Sequence, residues 1–87
     1  MAGDLKACDG GNQGKGDKFN WINEHDVDCH LSHCKPPLTQ DTYTVPKKVG
    51  GVPGIAPAQV QDDATPGDYT YTADCCKKLG NPIIKIQ

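Results

Sequence analysis

Arginine is absent from this 87-residue chain, so its nine basic residues are all lysine. The formal net charge is −2, and no lysine cluster is interleaved with aromatics, so a nucleic-acid-binding surface is not expected. No apolar run approaches the length of a membrane span. No export signal is present, and Met1-Ala2-Gly3 reads as a translation start placed on a mature domain. Large hydrophobic residues are scarce: one Phe, one Trp and one Met, in a chain only 36% hydrophobic. A chain of this size buries roughly 60–65% of its unfolded surface, so its core is thin and something must supplement it. No helical periodicity of convincing length and no internal repeat occurs. The glycines between Asp9 and Gly16 precede no helix pattern and no Gly-Lys-Ser/Thr, so a phosphate cradle is excluded and a loop is expected there. Nothing marks an oxyanion hole or a substrate cleft, and no enzyme is read from the chain.

What the chain does have is cysteine, five of them, and one dense stretch from Gly16 to Cys34. That stretch holds the only Phe, the only Trp, all three His and two of the Cys. Phe19, Trp21, Val27, Cys29 and Leu31 share one parity, with Asn23 and His25 between them. The other parity is Asn20, Ile22, Glu24, Asp26, Asp28 and His30. A dry face and a wet face predict a strand, bent near Asn23-Glu24, with Trp21 in the core. Further strands are predicted at Leu5 to Cys8, Thr39 to Val45, Ala58 to Gln61, Asp68 to Ala73 and Pro82 to Gln87. In the fourth of these, Tyr69, Tyr71 and Ala73 are expected inward. Pro46, Gly50-Gly51, Pro53-Gly54 and Pro57 predict a loop over 46–57, and Cys75 to Asn81 a second one. Many short strands joined by Gly/Pro turns predict an all-β sandwich or barrel.

Three phrases, in this order, resemble the cupredoxin family. Gly16-Asp17-Lys18-Phe19-Asn20-Trp21-Ile22-Asn23 looks like its Gly-Asp-x-apolar-x-Trp-x-Asn strand. His25-Asp26-Val27 is similar to a His-x-Val that supplies a copper ligand in the family. Pro66-Gly67-Asp68-Tyr69-Thr70-Tyr71 followed by Cys75 resembles the strand that runs into the ligand cysteine, and Ile84-Lys85-Ile86 the closing strand. The resemblance implies a small antiparallel Greek-key β-sandwich with long Gly/Pro-rich loops. The resemblance spans about residues 16–87, and residues 1–87 are expected as one domain, with 1–15 as an N-terminal strand and Gly-rich loop. A type 1 copper site needs two His, a Cys and usually a weak axial ligand. After Cys75 come Cys76, Lys77, Lys78, Leu79, Gly80 and Asn81, with neither His nor Met. Only His25 and Cys75 match, so simple blue-copper electron transfer is not expected.

The chemistry-bearing cluster is therefore His25, Cys29, His30, His33 and Cys34, with Cys75 and Cys76 expected nearby if the sandwich forms. On a strand His25 and Cys29 point the same way. On a helical turn Cys29 would face with His33 and His30 with Cys34. Thiolate with imidazole suits Cu(I), or secondarily Zn(II), and Asp26 and Asp28 are placed to orient imidazoles. His25, Cys29 and Cys75 are the first-choice ligands. The competing reading is disulfides: Cys29 or Cys34 to Cys75 or Cys76, closing a loop of about 40–47 residues and stabilising by about 4 kcal/mol. Cys8 would then pin the N-terminal arm, and Cys75 would not bridge to Cys76, because the peptide between them resists it. Two functions follow. One is a small exported soft-metal-binding protein, periplasmic or secreted, with copper, or less readily zinc, as its partner. The other is a disulfide-stabilised, metal-free cupredoxin-like interaction module.

Overall fold

Alternation of apolar and polar residues, rather than any helical period, governs the backbone throughout. The computed structural model describes residues 3–76 and 81–87, so Lys77 to Gly80 of the expected second loop lie outside the described residues. Among the described residues there are nine strands and no helix, hence no helix long and apolar enough to cross a membrane. The strands are β1 (Leu5–Lys6), β2 (Gly11–Gln13), β3 (Lys18–Asn23), β4 (Cys29–Ser32), β5 (Tyr43–Val45), β6 (Gly54–Gln59), β7 (Gly67–Thr70), β8 (Thr72–Ala73) and β9 (Ile83–Ile86). They form three three-stranded sheets, ordered β1-β3-β6, β2-β9-β7 and β5-β4-β8.

The expected all-β class holds, but the sheets are not purely antiparallel. β1 runs parallel to β3, and β2 parallel to β9. Two segments expected as loops are strands. β2 lies inside the Gly-rich stretch, and β6 takes in Gly54 to Pro57. The reason is close packing. A Cβ on Gly11 would lie 2.2 Å from the Leu5 side chain, and one on Gly54 would lie 1.6 Å from the Pro46 carbonyl oxygen. These glycines mark near approach of a neighbour within a strand, which glycine alone permits. Pro57 is tolerated because β6 is the edge of its sheet.

The core forms from the dry parity of β3 and its counterparts. Trp21 is fully buried, with the rings of Tyr71, Phe19 and Tyr43 at 5.0, 5.3 and 6.3 Å. Leu31, Leu38, Val45, Val60, Ile84 and Ile86 join the same cluster. Tyr69 and Ala73 pack against it half-buried, beside a fully buried Tyr71, as their shared parity requires. The radius of gyration is 12.1 Å, against about 12 Å for a folded chain of this length. Among the described residues the Trp21 indole N–H has no hydrogen-bond partner, so packing holds the ring.

The bend after β3 falls where it was expected, and Asn23 makes it. Its buried side-chain amide donates to the carbonyls of Val27, Val45 and Pro46 at 2.9–3.2 Å, and its oxygen accepts the His25 N–H at 2.8 Å. Satisfying so many backbone groups at one buried side chain replaces ladder pairing across residues 24–28. The parity is lost there as a result. Val27, expected on the dry face, is 60% exposed.

Candidate functional site

One rung-by-rung register builds the site. β4 pairs antiparallel with β8 through Leu31 opposite Ala73 and Ser32 opposite Thr72. Carried one rung on, the register sets His30 opposite Asp74. The His30 N–H donates to Asp74 Oδ1 at 2.8 Å, and the Asp74 N–H donates to the His30 carbonyl at 3.2 Å. One rung further, Cys29 meets Cys75 and the two form a disulfide, Cα to Cα 5.1 Å. Alternation puts the histidine–aspartate rung outside and the cysteine rung inside. Cys76, next in chain, points elsewhere and bridges to Cys8, Cα to Cα 5.3 Å. Cys8 arrives there because β1 runs parallel beside β3, with Leu5 level with Trp21. Cys8 lies just past the end of β1, at a positive φ of 78°.

Four sulfurs and one imidazole are therefore brought into one cluster. The ligand atoms of His25, Cys29 and Cys75 lie within 4.8 Å of one another, and so do those of Cys8, Cys75 and Cys76. Cys75 belongs to both groups. The Cys8 and Cys75 sulfurs are 3.3 Å apart, although each is bonded to a different partner. Neither carries a proton, so this is a non-bonded sulfur contact. Cys29 is completely buried and Cys75 nearly so, whereas Cys8 and Cys76 are half-buried. A small pocket of about 260 Å³ opens beside them, lined by Lys6, Ala7, Cys8, Asp9, Ile22, Glu24 and His25. Lys6 and Glu24 form an exposed ion pair at 3.6 Å in that lining.

The other expected ligands stand apart from this cluster. His30 is exposed, its Nδ1 2.8 Å from Asp74 Oδ2. The His30 backbone N–H, then its side chain, hold the Asp74 carboxyl below its usual range. His33, at φ 60°, is exposed with Nδ1 3.2 Å from the Thr72 hydroxyl. Cys34 is the one cysteine left as a free thiol, and it is fully buried. Burial, and secondarily the charge of Asp41, push its pKa up to about 12. A thiol held protonated at neutral pH is a poor nucleophile and a poor ligand. Asp28 does not orient an imidazole either, since its Oδ1 accepts the Lys47 N–H at 2.9 Å and ties the bend to the next loop.

His25, Cys29, Cys75 and Cys76 are thus brought together, while His30, His33 and Cys34 take no part in either group. The residue that sequence reasoning left outside the site is Cys8. Its clue was arithmetic: an adjacent pair that does not bridge internally needs two separate partners, and five cysteines leave room for both. No protein-family model, curated protein or solved structure matches this chain.

Proposed function

We propose that this chain is a disulfide-stapled, cupredoxin-like binding module of an oxidising, extracytoplasmic compartment, a single domain that acts by contact and is not an enzyme. One observation carries the reading. Two bridges take up four of the five cysteines, among them Cys29 and Cys75, two of the three first-choice ligands. Paired structural disulfides belong to oxidising compartments. The one remaining thiol, Cys34, is buried with its pKa pushed up to about 12, which argues against thiol catalysis in the folded state. Val27, Val49, Val52 and Ile55 are all more than half exposed. Val27 lies in the bend after β3 and Val49 and Val52 on the loop joined to that bend, where the Lys48 N–H donates to the His25 carbonyl at 2.9 Å. Apolar side chains left in solvent on segments of a small stapled scaffold that are joined by a backbone hydrogen bond suit an interaction surface.

The test is a thiol count on protein unfolded without reductant. One reactive thiol per chain is expected, and three or more would remove the stapled reading.

A soft-metal reading rests on a different observation, the approach of His25, Cys29 and Cys75 within 4.8 Å. A disulfide sulfur is not a thiolate, so copper, or secondarily zinc, would be held only after reduction of the bridge. Stoichiometric Cu(I) or Zn(II) should then raise the melting midpoint of the reduced protein, because a ligand of the folded state alone must stabilise it. In that state His25→Ala should weaken metal binding, and no rise in the midpoint with either metal would end this second reading.

A further inference from the structure

We propose that the two bridges form a disulfide relay, in which opening the outer one lets Cys8 take over Cys75 and expel Cys29. The proposal rests on the sulfur contact and on the burial gradient along the cluster. The four sulfurs follow the order Cys76, Cys8, Cys75, Cys29, in which the first and last pairs are bonded and the middle pair is 3.3 Å apart. The outer bridge joins two half-buried residues, whereas the inner one ends at a residue with no exposure at all. A small-molecule thiol therefore reaches the outer bridge and is screened from the inner one.

Exchange runs through attack of a thiolate on a disulfide sulfur, and its rate depends on access. The external thiolate attacks the Cys76 sulfur, forming a mixed disulfide there and releasing Cys8 as thiolate. Cys8 already touches Cys75. It attacks that sulfur, the Cys8–Cys75 bond forms, the Cys75–Cys29 bond breaks, and Cys29 departs as a thiolate that takes up a proton. A second external thiol then attacks the mixed disulfide and frees Cys76 as a thiol. It leaves as the oxidised external disulfide. Two external thiols are oxidised, one protein disulfide is reduced, and the surviving bridge has moved from Cys29–Cys75 to Cys8–Cys75. A largely screened bond is thus broken from the surface.

The experiment uses the whole chain under native conditions with limiting glutathione, acid quenching, alkylation and mass-spectrometric mapping of the bridges. Among singly bridged molecules, Cys8–Cys75 should appear with Cys29 and Cys76 alkylated. Its share should be at least about three times that found after the same treatment in concentrated urea, where the native contact is gone. The Cys76→Ser variant, which leaves Cys8 without its partner from the outset, should contain both Cys8–Cys75 and Cys29–Cys75 after oxidative purification. The proposal is overturned if every singly bridged native molecule retains Cys29–Cys75 with Cys8 alkylated, or if the Cys8–Cys75 share is no greater in native buffer than in urea. A chain with extra free thiols before treatment would instead count against the stapled reading, so the two failures are distinct.

Discussion

Two adjacent rungs of the β4–β8 register carry opposite chemistry. His30 and Asp74 face water and are joined by exposed hydrogen bonds. Cys29 and Cys75, one rung on, face the core and are joined covalently. The backbone geometry is the same and only the side of the sheet differs. What the comparison teaches is that a cross-strand pair takes its value from its solvent. An exposed polar contact competes with water and contributes little, whereas a covalent link closing a long loop removes freedom from the unfolded chain regardless of water.

The largest expected effect comes from breaking the inner rung. The bridges are nested, at sequence separations of 46 and 68, so each constrains the chain that the other closes. Loop closure alone gives each pair about 3 kcal/mol on replacement by alanine with the other bridge intact. Cys29→Ala with Cys75→Ala should cost more, about 3–4 kcal/mol by urea unfolding without reductant, because removing two buried sulfurs also leaves a cavity. If the inner pair costs less than the outer, the buried rung is not the stronger element.

Next in size is the contrast between bridged and free cysteine. With its pKa pushed from 9.0 up to about 12, Cys34 should show about a thousandfold less thiolate near pH 7 than an exposed thiol. Labelling by a thiol reagent should be slow in the native protein and prompt once it is unfolded. Fast labelling of the native chain would mean that the β4–β5 connection opens readily.

The same thiol sets an alkaline limit. Its folded pKa lies above its unfolded one, so stability is at its full value below about pH 9 and declines as the unfolded thiol ionises between about 9 and 12. Tyr71 and Tyr43, raised chiefly by burial, act with the same sign. Cys34→Ala should flatten the fall of the melting midpoint between pH 8.5 and 10. An unchanged slope would leave the tyrosines as its source.

The smallest effect belongs to the outer rung. The Asp74 carboxyl is lowered in the folded state, so its contribution is present above the unfolded pKa and lost as pH falls through the folded one. Asp74→Asn should change stability by only a few tenths of a kcal/mol near neutral pH, because both partners are more than half exposed. A loss above 1 kcal/mol would mean that the exposed rung also holds the register.

Much of the strand pattern was legible because alternation survives wherever one face is buried. Phe19, Trp21, Leu31 and Tyr71 were readable as core for this reason, and all are buried. β2 and β6 were not legible. Glycine reads locally as freedom, and only the approach of Leu5 to Gly11 and of Pro46 to Gly54 shows that it is a packing requirement. Val27 misled for a related reason: its parity depends on Asn23 not turning the chain. In the site, the bridging of Cys29 to the Cys75–Cys76 pair was readable as one of several pairings. The choice of Cys75 for Cys29 and Cys76 for Cys8 was not.

By itself the sequence determined that this chain is built of short strands, that Trp21 anchors a thin core, and that adjacent cysteines must look outward for partners. All three follow from local rules of alternation, residue size and peptide geometry. Tertiary structure alone decided which sulfurs meet, which histidine joins them and which cysteine is left sealed as a thiol. Those outcomes depend on register between strands more than forty residues apart. A shift of one rung there would exchange the inner and outer faces and place His30 where Cys29 now lies.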